Sequence, residues 1–97
     1  ALRIVACMGA AGRTDPTHVR YATLADVVGC PLARRLRRIL RDAGLTCELP
    51  VVYSTEPPAD VTRTRPLPSC CAVPAAVGLA AAALVLRTLA HEACPSA

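Results

Sequence analysis

No lysine, phenylalanine or tryptophan occurs in the 97 residues, and Tyr21 and Tyr53 are the only aromatic side chains. Core volume must therefore come from Leu, Val, Ile and many alanines, although 54% of the residues are hydrophobic. Alanine buries little area at about 25 cal/mol per Å² of apolar surface, so this core is weak and invites a partner surface. The missing lysines leave 11 arginines to carry a net charge of +4. That balance suits a polyanion partner, while a GC-rich coding bias equally turns Lys into Arg. No CxxC pair is present, which argues against a structural zinc site built from this chain. No glycine-rich phosphate loop is present either, so no cradle for a nucleotide triphosphate is expected here.

Long apolar runs are also scarce. Ala72–Leu86 spans fifteen residues, is interrupted by Pro74 and Gly78, and stops at Arg87. A membrane span needs about 20, so a helix inside a larger protein or at a subunit interface is expected instead, with no membrane. Leu2–Met8 is too short for a signal peptide, and no small-residue cleavage site follows a basic start. A cytoplasmic, reduced protein follows, with Cys7, Cys30, Cys47, Cys70, Cys71 and Cys94 as free thiols.

What is present reads as α/β. Leu2–Met8 suits a parallel-sheet strand buried on both faces, and Gly9–Gly12 a loop of small side chains. Asp15-Pro16 marks a turn. His18–Thr23 alternates as a short edge strand. Thr23 or Asp26 is positioned to cap short helical turns that Gly29 breaks. Pro31 opens a helix whose Leu32, Leu36, Ile39, Leu40 and Ala43 form one apolar stripe, and Gly44 closes it. Glu48–Ser54 is a second strand, Thr55–Pro68 an exposed connector, and Ala75–Ala90 a helix apolar all round, which demands a large burying surface.

In this order the segments MGAAGRTDPTHVRYATLADV, CPLARRLRRILRDAGL, PVVYSTEPP and PSCCAVPAAVGLAAAALVLRTL resemble the second half of the ThiF/MoeB-type adenylating domain. Among its branches they are most similar to the tRNA threonylcarbamoyladenosine dehydratases (TcdA). The resemblance covers nearly the whole chain. It implies a Rossmann-like mixed sheet flanked by helices, in which residues 1–97 are the C-terminal portion. It also implies activation of a carboxylate as an acyl-adenylate, with ATP and magnesium bound by the complete domain and by the half that this chain lacks. That half, a homodimer mate and tRNA are the implied partners, and the chain alone is expected to be inactive. Two features depart from the family: Cys30 stands where it usually has a helix-capping Asp, and the connector after Thr55 is short.

The candidate site residues fall in three groups. Met8, Gly9, Ala10 and Ala11 follow a strand at the edge where α/β sheets bind ligands; they line a nucleotide or substrate pocket or form a plain turn. Arg34, Arg35, Arg37, Arg38 and Arg41 contact RNA phosphates or are a solvated helix face. Cys70 and Cys71, just before the last helix, are thiols for chemistry or buried small residues. Asp15 orients a cation or closes an Asx turn. His18 and His91 have no partner at motif spacing and read as surface residues. Three other functions stay open: a non-catalytic dimerisation or scaffold module, a relative that activates a sulfur carrier, and a small basic RNA-binding protein.

Overall fold

In the computed structural model, which describes residues 3–59 and 70–94, β3 (Pro50–Ser54) is the middle of three strands. It pairs in parallel with β1 (Ala6–Cys7) through Ala6↔Val51 and Cys7↔Val52. It pairs antiparallel with β2 (Val19–Thr23), from Val19↔Ser54 to Thr23↔Pro50. Helix α1 (Pro31–Asp42) connects β2 to β3, and α2 (Ala72–Ala93) follows. The result is a mixed α/β sheet, as the pattern predicted. Two-sided burial falls on β3, where Val51 and Val52 are both fully buried. The sequence assigned that burial to Leu2–Met8. There, however, the regular strand is two residues long, Ile4 is 57% exposed and Cys7 is exposed, because β1 is outermost among the described strands.

The two faces of the sheet carry separate cores. On one, Met8, Val51, Leu24, Val27, Cys30 and Ala33 pack with Ala6, Leu36, Leu40 and Tyr53, beneath α1. On the other, Val52, Val73 and Val77 pack with Val5, Ala10, Val19, Ala80 and Ala81, beneath α2. The second core is small and largely alanine and valine, the expected outcome for a chain without large aromatics.

Local chemistry fixes α1 at both ends. Pro31 sits at the first helical position, where no N–H is needed. Cys30 is the N-cap, and its Sγ accepts from the Ala33 N–H at 3.5 Å. The residue expected to forfeit capping thus retains a long, weak version of it while filling the core. At the other end Leu45 N–H donates to Leu40 O at 2.8 Å and Gly44 N–H to Arg41 O at 3.0 Å. With Gly44 at φ 74°, this is a Schellman closure. The apolar stripe is only partly covered: Ala33, Leu36 and Leu40 face the core, whereas Leu32 is 48% and Ile39 54% exposed.

Helix α2 is longer than the sequence suggested, starting at Ala72 and ending at Ala93. Pro74 lies in the first turn, where a missing N–H leaves no bond unmade. At 22 residues and a mean hydropathy of 1.8 over its most apolar 18-residue window, it is long and apolar enough to cross a membrane. Here it lies on the sheet through Val73 and Val77. Tyr21 Oη donates to the Ala80 carbonyl at 2.7 Å, and Arg87 Nη2 donates to Tyr21 Oη at 3.3 Å. Its outer face shows Leu79 and Leu86 to solvent.

Candidate functional site at the carboxyl edge of the sheet

Because β1 and β3 run parallel, their carboxyl ends open onto one edge. Met8–Ala11 leaves β1 there, and Thr55–Glu56 leaves β3. Val73, in the first turn of α2, packs in the same cluster as Ala10, which brings Cys70 and Cys71 toward this edge. Cys70 is half-buried and Cys71 exposed. The Met8 side chain is buried in the α1-side core, so Gly9, Ala10 and Ala11 supply the small-residue surface at the rim.

Two residues that the sequence reading did not single out hold this edge together. Arg13 is 3% exposed. Its Nε donates to Glu56 O at 2.9 Å, Nη1 to Gly9 O at 3.0 Å and Nη2 to Gly29 O at 3.2 Å. One guanidinium thereby joins the loop after β1, the second residue past β3 and the entry to α1. Glu56 answers with its carboxylate, which accepts the Asp15 N–H at 2.8 Å and the Thr14 N–H at 3.0 Å. Those two N–H groups, Asp15's first, hold the Glu56 carboxyl below its ordinary pKa.

Asp15 caps the short 3-10 helix Pro16–His18, accepting from Thr17 Oγ1 at 2.6 Å and Thr17 N at 2.9 Å. The hydroxyl first, and then the backbone N–H, lower its pKa. The Asx-turn reading of Asp15 is therefore the structural one. His18, by contrast, is not isolated: Nε2 lies 3.2 Å from Asp15 Oδ2 and Nδ1 3.2 Å from Thr55 Oγ1. Thr55 sits 37 positions away, so no motif spacing reveals the contact.

The arginines of α1 divide. Arg37 turns inward, and its Nη1 donates to the carbonyls of Leu24 at 2.9 Å and Val27 at 2.8 Å. It therefore anchors the 3-10 turn Leu24–Asp26 instead of standing free for a ligand. Arg34, Arg35, Arg38 and Arg41 are exposed. Among the described residues, no group of three His, Cys, Asp or Glu side chains is placed to hold a metal ion. Arg13, for its part, is committed to three backbone carbonyls. The Thr55–Pro68 connector lies largely outside the described residues.

No family model matches the chain. Over 67 residues, 69% of this chain, it is 37% identical to tRNA threonylcarbamoyladenosine dehydratase 2 of Saccharomyces cerevisiae, covering 15% of that protein. The fold overlays the E. coli tRNA N6-threonylcarbamoyladenosine dehydratase TcdA in complex with AMP, with a TM-score of 0.84 and 27% identity over 95% of this chain. The same E. coli enzyme in complex with ATP gives a TM-score of 0.81 and 25% identity over 96%. In both cases the chain spans 40% of the solved relative's length. The match in words, order and fold agrees with the resemblance read from the residues: the chain belongs to the ThiF/MoeB-type adenylating family and is similar to its tRNA threonylcarbamoyladenosine dehydratase branch.

Proposed function

We propose that the chain is part of an ATP-dependent tRNA threonylcarbamoyladenosine dehydratase and supplies one wall of its reaction crevice. The observation that carries this reading is the overlay of 95% of the chain on a relative solved with AMP, with Gly9–Ala11 at the carboxyl edge of parallel strands. A carboxylate is a poor electrophile until its oxygen is joined to AMP as a mixed anhydride. ATP supplies the AMP and pyrophosphate leaves. An internal nucleophile of the same threonylcarbamoyl group then closes a ring and displaces AMP, for a net loss of water. In this scheme Arg13 and Glu56 fix the loop that borders the reacting group, and Arg34, Arg35, Arg38 and Arg41 meet tRNA phosphates. ATP and magnesium belong to the complete domain, which works in the cytoplasm as a homodimer.

The test is incubation of the full-length protein with ATP, magnesium and tRNA carrying threonylcarbamoyladenosine, followed by nucleoside mass spectrometry. AMP release together with a product lighter by one water is expected. ATP turnover that requires a sulfur-carrier protein instead of tRNA would reassign the chain to that relative. A second reading, a non-catalytic association module, is favoured by the exposed Leu79, Leu86 and Leu89 on α2. Self-association without any AMP release would select it.

A further inference from the structure

Among the described residues, β2 is the outer strand on the side of the sheet away from β1. Its residues, Val19–Thr23, contain neither proline nor glycine, and Val19, Tyr21 and Thr23 are strong strand formers. An edge of this kind invites another strand. The ladder to β3 fixes which backbone groups lie along it. Thr55 N–H donates to His18 O at 3.0 Å, and Leu24 N–H donates to Leu49 O at 2.8 Å. The intervening register therefore turns Arg20 and Ala22 toward β3, and the N–H and C=O groups of Val19, Tyr21 and Thr23 outward.

Such an edge is complementary to itself. Set antiparallel to the β2 of a second copy, about a twofold axis at Tyr21, Val19 would exchange bonds with the second copy's Thr23. Tyr21 would face its own equivalent. The fold, however, has already engaged both Val19 groups. The N–H donates to Pro16 O and closes the 3-10 helix Pro16–His18. The carbonyl accepts from Arg20 Nη1 at 2.8 Å, and the same Nη1 donates to Thr17 O at 2.7 Å. Arg20 shares its face of the sheet with Ala22, which packs in the core beneath α1, so its guanidinium reaches round the edge to make these bonds.

Because a twofold pairing uses each Val19 once, closing it removes both outer pairs and leaves only the pair at Tyr21. That is too little, since even a complete two-stranded ribbon is marginal in water. The two Arg20 side chains would also lie diagonally across one face of such a pair, with like charge. We propose that Arg20 is an edge guard, holding Val19 closed and preventing this chain from pairing through β2 with a second copy. The guard involves no step of the adenylation chemistry, so it stands or falls apart from that reading.

The test is sedimentation of the full-length protein over a range of concentrations. Arg20→Ala should form a concentration-dependent species of about twice the wild-type mass or more. Arg38→Ala removes the same charge from α1 and should sediment as the wild type does. In the Arg20→Ala protein, hydrogen exchange at the Tyr21 and Thr23 amides should slow as concentration rises. Adding Thr23→Pro removes an outward N–H without touching the ladder to β3, at a side chain that makes no cap hydrogen bond, and should restore the wild-type mass. If that double variant does not fold, the exchange of the Tyr21 and Thr23 amides decides in its place. Arg20→Ala at the wild-type mass overturns the guard, as does equal association of Arg38→Ala. Association that persists in a folded Thr23→Pro double variant also overturns it. So does wild-type protein whose Tyr21 and Thr23 amides slow with concentration.

Discussion

Arg13 and Glu56 hold each other through opposite ends of their chemistry. The Arg13 guanidinium donates to the Glu56 backbone carbonyl, while the Glu56 carboxylate accepts the N–H groups of Thr14 and Asp15, the next two residues after Arg13. The loop after β1 and the segment after β3 are therefore joined by reciprocal contacts, each side supplying both a side chain and backbone.

Replacing Arg13 by Met should lower stability by about 2–4 kcal/mol, because burial leaves the carbonyls of Gly9, Gly29 and Glu56 without that donor. Arg13→Lys should recover only part of the loss, since a point charge cannot span three acceptors in a planar fork. Urea unfolding midpoints would show the order wild type, Lys, Met.

The Glu56 contact should depend on acid. Its pKa is lower folded than unfolded, so its contribution is complete above the ordinary glutamate range, about 4.3, and disappears as pH falls through the lower folded value. Amide resonances of Thr14 and Asp15, followed by NMR as pH is lowered, should move with that titration. In Glu56→Gln they should lose this step. Asp15, lowered in the same direction by Thr17, adds its own transition at the Thr17 amide.

The arginines of α1 should separate by experiment. Arg37→Ala removes two bonds to the turn before the helix and should cost about 1–3 kcal/mol. Arg38→Ala should change stability by less than about 0.5 kcal/mol. If tRNA lies along the exposed face, neutralising Arg34, Arg35, Arg38 or Arg41 should each reduce the salt slope of binding by about 1. Fluorescence-anisotropy titrations at several salt concentrations would measure it.

Gly44→Ala tests the helix closure. An added Cβ would meet nothing within 4 Å, so the cost is conformational, about 1–2 kcal/mol for a left-handed residue. Thermal unfolding should register it without any change in fold.

Helix α1 was readable because its punctuation is local: Pro31 before it, Gly44 after it, and a regular stripe between. The β3 run of Val51 and Val52 was readable for the same reason, although its first residue is Pro50 and not Glu48. The place of a strand within a sheet is a different matter. Leu2–Met8 is as apolar as a central strand, and its own residues do not state how many neighbours the chain provides. Arg13 was equally hidden, since an arginine between Gly12 and Asp15-Pro16 reads as solvated. Its acceptors lie 4, 16 and 43 positions away. The full extent of α2 was obscured by Pro74 and Gly78, which a first turn and a long apolar helix absorb.

The central position of β3 also dictates when the sheet can form. Neither β1 nor β2 pairs with the other; each waits for a strand that is synthesised after α1. The β1–β3 pairing closes about 45 residues of chain, an entropic cost that local turns cannot lower. During translation, therefore, β1 and β2 emerge with nothing in this chain to pair with, whereas α1 carries its own start and stop. Of the elements described, the basic helix is the one whose boundaries are set before β3 is made. The β1 and β2 pairings can be complete only once Ser54 has cleared the exit.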